Sequence, residues 1–507
     1  MANDGFSIAD AGDDPPADGD APKRNRRDKL ALLLSDVDLW RSPDGVAHAS
    51  VPMGRHREHM RVQSRDCRTF LLTAFYGAHG AGLSGTALGE TINLAEARAL
   101  SSGDVKLPWR RFAQHEGDIW IDLGGGDPEG ERRAVRITGE GWRIIAPAEV
   151  TPCFLRAPDS LPLPCPEPDG AKPADLAQFV NADEDGLALI WAWLLCAARP
   201  FAEGGSYPIA LLHGEQGSGK SGASRALQSL IDPSTLTGRA LPREERDLFI
   251  SAANRHLLAF DNLSGLGDAF ADCFCRIATG GGFSARALHT DGDESIFTAV
   301  RPLLFNGIPS TILARPDLAD RALSIELRPL AQRREEAAIR GDFQRLQPGL
   351  LGLICDGLAA ALRNIAGMKI ADPPRMMDAA LWAEAAAPGL GLAPGVIATA
   401  WRANRHQADR AALEVDDVAQ ALVALLNEQR EKEGRDEWRG GPTELFTRLS
   451  SLVPERVSRS PLWPKTANVL GTKLKRIAPG MRAVHRIDFI AGKGGADGAR
   501  WWHVRRL

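Results

Sequence analysis

No segment of this 507-residue chain approaches the roughly 18 uninterrupted apolar residues that a membrane span requires, although 44% of its residues are hydrophobic. No contact with a membrane is expected. The N-terminus also lacks the apolar core of a secretory signal, since Met1 to Pro22 is rich in Asp, Gly and Pro, and a cytoplasmic location is the expectation. Cysteine is sparse: seven residues, an odd number, are scattered from Cys67 to Cys355. The one close pair, Cys273 and Cys275, has neither metal-site spacing nor a second pair to complete a site, so reduced, packed thiols are expected. Internal repeats are absent. The length suits about three domains of ordinary size.

Charge is small overall, at -4, but unevenly placed. From Gly441 to Leu507 there are 13 basic and four acidic residues, a net +9 that leaves the remainder near -13. Residues 1–28 read as a disordered tail ending in the basic patch Lys23 to Arg27, for which a solvated role is favoured over DNA contact. Residues 29–166 read as an α+β accessory domain. Its helices are expected near Asp66 to Tyr76 and Ala87 to Leu100, and its strands at Asp118 to Leu123, Arg133 to Ile137 and Trp142 to Ile145. The proline-rich run Leu161 to Pro166 reads as a linker.

Two acidic pairs in this region test for metal-dependent polymerase chemistry. Asp36-Val37-Asp38 lies outside any apolar strand. Asp118 and Asp122 share one strand face without further ligands. Both are expected to be solvated turns or caps, which argues against such an activity.

The most specific signal is Gly214-Glu215-Gln216-Gly217-Ser218-Gly219-Lys220-Ser221, which fits the phosphate-binding loop and follows the apolar run Ile209 to His213. The glycines, here Gly214, Gly217 and Gly219, let backbone N–H groups and Ser218 wrap the phosphates. Lys220 reaches the β and γ oxygens, and the Ser221 hydroxyl suits Mg²⁺ at a helix N-terminus. ATP and Mg²⁺ are the expected cofactors. An apolar helical stretch, within residues 167–206, precedes a core at 207–330. In that core strand candidates at Ile209 to His213, His256 to Asp261, Pro302 to Asn306 and Ala322 to Leu327 alternate with helices, the pattern of a mainly parallel sheet. Asp261 ends a buried strand some 40 residues past Lys220, where a carboxylate can enter the shell of the metal. Asn306 ends another and suits the γ-phosphate or the attacking water. Its alternative is a cap on the turn before Gly307. Arg321 stands before the last strand, where an arginine can reach a neighbouring subunit's nucleotide or, alternatively, pair with Asp317 or Asp320.

Residues 331–436 read as a helical lid. Residues 437–507 read as a basic winged-helix-like domain: helices at Pro442 to Leu452 and Trp463 to Ile477 precede two short runs that flank a glycine turn. The second helix carries Lys465, Lys473, Lys475 and Arg476, and the wing carries Lys493. DNA contact by these residues is expected, with a basic structural cap as the alternative.

From Leu176 to Leu330 the order of motifs resembles superfamily 3 helicases, AAA+-related ring motors of phage, plasmid and poxvirus primase-helicase type. That resemblance implies a P-loop NTPase core with an AAA+-like parallel sheet, with catalytic roles at Lys220, Asp261, Asn306 and Arg321. It implies a homo-oligomeric ring and a DNA-contacting hairpin after Thr279-Gly280-Gly281-Gly282, whose Arg286 and His289 would grip single-stranded DNA through phosphates. The chain departs from the family at Asn262, where a second acid commonly polarises the attacking water; an amide cannot accept that proton. An ATP-dependent DNA motor acting in replication of a phage, plasmid or mobile element is the leading expectation. A DNA-bound ATP switch with slow hydrolysis is the alternative.

Overall fold

The computed structural model describes residues 34–125, 132–263, 265–281, 283–286, 294–297, 299–308, 312–313, 315–414, 416–461, 463–494 and 499–507. The tail at 1–28 and its basic patch lie outside them. The chain forms two compact units that meet in sequence at Lys106 and Leu107. The expected module 29–166 is therefore divided between the two.

The first unit builds a four-stranded sheet of order β3-β2-β1-β4 from β1 (Asp38–Arg41), β2 (Ala47–Met53), β3 (His56–Arg61) and the short β4 (Asp104–Val105). Two helices lie between β3 and β4: α1 (Arg65–His79) and α2 (Gly85–Ser102). Each starts where a serine caps it, Ser64 accepting from the Cys67 N–H and Ser84 from that of Ala87. Ala47, Ala49, Val51, Leu71, Ile92 and Ala99 make its core. Asp38 is paired with Lys106 at 2.7 Å, a structural use of one carboxylate in the Asp36-Val37-Asp38 run.

The second unit starts with a small parallel pair, β5 (Pro108–Trp109) and, later in the chain, β10 (Cys153–Phe154). Between them runs an antiparallel meander of β6 (Phe112–His115), β7 (Asp118–Asp122), β8 (Ala134–Thr138) and β9 (Gly141–Ile145). The two-residue turn Glu116-Gly117 has φ of 53° and 87°, the left-handed pair that a tight hairpin needs. Phe112, Ile121, Val135 and Ile137 join the large core that also holds α3 (Glu184–Ala197). Asp122 is not solvated, as expected, but buried. Burial pushes its carboxyl up, yet Arg156, at 2.7 Å, and Arg111 outweigh this and hold it below the usual range. Asp118 is half-buried and paired with Arg136 at 2.6 Å. The run Leu161 to Pro166 is pinned rather than a free linker: Leu163 is fully buried, and its N–H donates to the Leu123 carbonyl.

After α3 comes β11 (Ile209–His213), then α4 (Lys220–Ile231), α5 (Glu245–Asn254), β12 (Leu258–Leu263), α6 (Asp268–Thr279), the hairpin β13 (Phe283–Arg286) and β14 (Glu294–Phe297), β15 (Leu303–Gly307), α7 (Pro316–Ala319) and β16 (Ala322–Glu326). The parallel sheet has the order β12-β15-β11-β16, with Ile209 opposite both Leu303 and Ala322. A parallel bridge from Arg239 to Phe260 extends its outer edge. These strands read as unbroken apolar runs because both sheet faces are covered.

Three helices follow: α8 (Glu336–Asn364), α9 (Met377–Ala386) and α10 (Val396–Glu414). They share the large core with α3. Among the described residues, Glu336–Gly367 is the one helix long and apolar enough to cross a membrane, and 61% of its apolar window is buried within the fold. The next helix, α11 (Asp417–Glu433), belongs elsewhere than the expected lid. Val418, Leu422 and Leu426 pack with Trp438, Leu445, Leu474 and Val504 in a separate core. That core also holds β17 (Glu437–Gly440), α12 (Pro442–Leu452), the single turn α13 (Glu455–Ser458), α14 (Ala467–Gly480), β18 (Ile487–Gly494) and β19 (Ala499–Arg506). The sheet order β17-β19-β18 behind these four helices completes a winged-helix outline, of which α11, α13 and β17 were not foreseen. The acids and bases of residues 417–440 nearly cancel, so the enlarged module keeps a net charge of +7.

Candidate nucleotide site and nucleic-acid interface

The interior strand β11 delivers the chain to the C-terminal end of the sheet, and the loop Gly214 to Gly219 returns it into α4. Gly214, Gly217 and Gly219 have φ of 143°, 88° and 83°, conformations that a side chain disfavours. At Gly214 a Cβ would also stand 2.3 Å from the Leu327 carbonyl oxygen. Lys220, the first residue of α4, folds back over the loop and donates from Nζ to the Gly214 and Glu215 carbonyls at 2.9 and 2.8 Å. Ser221 Oγ donates to Asp261 Oδ1 at 3.1 Å. The hydroxyl and the carboxylate expected to share a Mg²⁺ shell therefore meet, although 40 residues separate them in sequence.

Asn306 sits on the adjacent strand and is 2% exposed. Its Oδ1 accepts from the Asn262 N–H at 2.6 Å, whereas its Nδ2 is buried without a hydrogen-bond partner, as is Ser218 Oγ. Orphaned polar atoms at a phosphate loop are costly unless a ligand satisfies them. Together with the side-chain-free glycine cradle they fit a bound nucleoside triphosphate. Asn262 is itself unusual. Its φ of 56° marks a bulge where the β12–β15 register shifts between Phe260 and Leu263, and its side chain is exposed. Asparagine tolerates this left-handed conformation better than most residues.

Residues without a motif complete the site. Gly238, at φ 61°, lies so close that a Cβ there would stand 2.8 Å from Asp261 Cβ. Arg239 brackets β12 by donating its N–H to Ala259 and accepting from the Asp261 N–H. No sequence spacing marked either residue, because their place depends on strand register.

Arg321 stands one residue before β16, at the opposite end of the parallel sheet from the phosphate loop. Five strand residues, or about 16 Å, separate those ends, so Arg321 cannot serve its own loop. Its Nη1 donates to the Asp317 carbonyl at 2.5 Å, while Asp320 is paired instead with Arg375 and Arg405. Segments Phe283–Arg286 and Glu294–Phe297 pair as the expected hairpin, with Arg286 at the end of its first strand. His289 lies outside the described residues.

In the C-terminal module Asn468, Thr472, Lys475 and Arg476 occupy the exposed face of α14, and Lys493 is exposed on β18. Lys473 is corrected: it points to the other side and pairs with Asp416 at 3.2 Å, both side chains more than four-fifths buried. Lys465 precedes α14, where its Nζ caps the Arg459 and Ser460 carbonyls while the residue itself stays exposed.

No curated protein matches the chain. Among solved structures it is similar to "SCCmec type IV Cch - active helicase", at 10% identity over 92% of this chain and 93% of that one, with a TM-score of 0.47. It is also similar to the apo C-terminal region of NrS-1, at 11% identity over 94% and 98%, with a TM-score of 0.39. Two family models match: "Actinomycete integrative conjugative element replication protein" over residues 172–405, and "AICE RepA C-terminal domain" over 418–507. The second match begins within α11, five residues after Leu413, the first residue of the separate core. Over residues 172–405 and 418–507, together well over half of its length, the chain belongs to the replication proteins of actinomycete integrative conjugative elements.

Proposed function

We propose that the protein is an ATP-dependent DNA motor of superfamily 3 type, working as a homo-oligomeric ring in replication of its mobile element. The observation that carries this reading is the meeting of Lys220, Ser221, Asp261 and the orphaned Asn306 Nδ2 at one glycine cradle. Bound Mg-ATP would supply a phosphoanhydride whose cleavage releases free energy. Lys220 would exchange its two carbonyl partners for phosphate oxygens. Ser221 and Asp261 would hold the metal between them, and Asn306 would donate from Nδ2 toward the γ-phosphate while Oδ1 stays on the bulge. Arg321, remote from its own loop, suits the nucleotide of a neighbouring copy.

The β13–β14 hairpin carries Arg286 toward single-stranded DNA in a ring. Lys475, Arg476 and Lys493 suit duplex phosphates at the C-terminal module. Unwinding of a forked DNA in ATP, with Lys220→Ala as control, tests the reading; unwinding that survives the substitution overturns it.

A second reading, a DNA-bound ATP switch with slow turnover, is favoured by Asn262. Its place on the bulge next to Asp261 puts an amide, not a base, where the superfamily 3 helicases that the motifs resemble commonly have an acid. Steady-state ATP hydrolysis separates the readings: single-stranded DNA accelerates a motor and leaves a switch slow.

A further inference from the structure

The segment after β16 runs across the phosphate loop. A Cβ at Gly219 would stand 3.5 Å from Leu330 Cδ1, and one at Gly217 would stand 3.7 Å from Arg333 Nη2. Both ends of the segment are tied to the core. Asn181 Nδ2 donates to the Arg328 and Pro329 carbonyls at 2.8 and 3.0 Å, and at the other end Arg225, on the loop's own helix, pairs with Glu336 at 2.5 Å. Of its three arginines, Arg328 pairs with Asp183 and Arg334 with Asp342. Arg333 is exposed, and among the described residues it has neither an ion pair nor a hydrogen bond.

A guanidinium held against the loop, on a strap whose other two arginines are both paired, is free to donate to an anion bound at the loop. We infer that Arg333 is a second cation of the nucleotide site, donating in cis to the triphosphate chain from the strap side while Lys220 serves it from within the loop. This rests on the nucleotide-site reading above. Arg333 is therefore a binding residue and not part of the fold's support. Its planar fork suits two phosphate oxygens at once, which a lysine cannot reproduce.

The test titrates the full chain with a fluorescent ATP analogue, displaced by ATP or by inorganic tripolyphosphate, in wild type, R333A, R333K, R334A and K220A. R333A is expected to weaken both competitors about tenfold or more, with R333K recovering part of the loss and R334A unchanged. The melting temperature without nucleotide should stay at the wild-type value in R333A, because no contact within the fold is lost. If R333A binds both competitors like wild type, or loses ATP but not tripolyphosphate, the inference falls. If K220A also binds like wild type, the nucleotide site itself has been misassigned, an outcome distinct from failure of Arg333 alone.

Discussion

Asn306 performs two tasks with one side chain, and two substitutions separate them. Its Oδ1 accepts the Asn262 N–H at 2.6 Å and so holds the bulge beside Asp261, while its buried Nδ2 has no partner in the fold. Asn306→Leu keeps the approximate size but leaves the Asn262 N–H without its acceptor. An unsatisfied donor costs about 1–3 kcal/mol when buried, and Asn262 is itself exposed, so the lower half of that range applies. Local opening at the bulge should then rise about 5- to 30-fold, read as faster amide hydrogen exchange in the peptide that contains Asn262. Asn306→Asp retains an acceptor oxygen whether ionised or protonated, so exchange there should remain near wild type. It replaces the amide donor by a carboxyl close to Asp261, and removing one donor from a site that stabilises developing charge costs roughly 100-fold in turnover. Steady-state ATP hydrolysis is the second assay. Wild-type hydrolysis in Asn306→Asp would refute the donor role, and unchanged exchange in Asn306→Leu would refute the claim that this bond holds the bulge.

Gly214→Ala should abolish nucleotide binding by equilibrium titration, because its Cβ would stand 2.3 Å from a backbone oxygen and its φ of 143° disfavours any side chain. His256 is buried, its ring Nε2 2.6 Å from the Ala197 carbonyl oxygen, and burial lowers its pKa from 6.5 to about 4. Its neutral form is therefore the folded one, so stability is complete above pH 6.5 and falls as pH drops toward 4, by up to about 3 kcal/mol. Thermal melts across that window should show a steeper loss in wild type than in His256→Gln. Lys473→Ala should lower the melting temperature of the C-terminal module by breaking the pair with Asp416, with little effect on DNA affinity. Lys475→Ala with Arg476→Ala should weaken DNA binding at constant melting temperature and reduce its salt slope by about 2. Arg321→Ala should leave nucleotide affinity unchanged and suppress hydrolysis, and mixed oligomers of Arg321→Ala with Lys220→Ala should recover part of it.

The glycine turn from Gly214 to Gly219, the parallel strands and the hairpin before β15 were legible because each is encoded locally. Glycine spacing states where backbone must turn left-handed, and unbroken apolar runs state which strands are covered on both faces. The C-terminal helices and their basic excess were legible for the same reason. Contacts between distant segments were not. Lys473 reads like Lys475 in sequence, yet the two-residue offset, about 200° around the helix, turns it toward Asp416, 57 residues earlier. The run Leu161 to Pro166 has the composition of a linker, but the Leu123 carbonyl and the large core hold Leu163 in place. Helix α11 continues the periodicity of the preceding helices and still packs with the wing, because its apolar stripe matches Trp438, Leu445 and Val504. The sequence by itself determined that the chain has a glycine-rich turn after an apolar strand, a parallel core and a basic end. Tertiary structure alone decided that Asn306 spends its Oδ1 on the Asn262 N–H and leaves Nδ2 unpaired, that Gly238 and Arg239 flank Asp261, and that Asp416 takes Lys473 but not Lys475, since those outcomes depend on strand register and on groups far apart in the chain meeting one another.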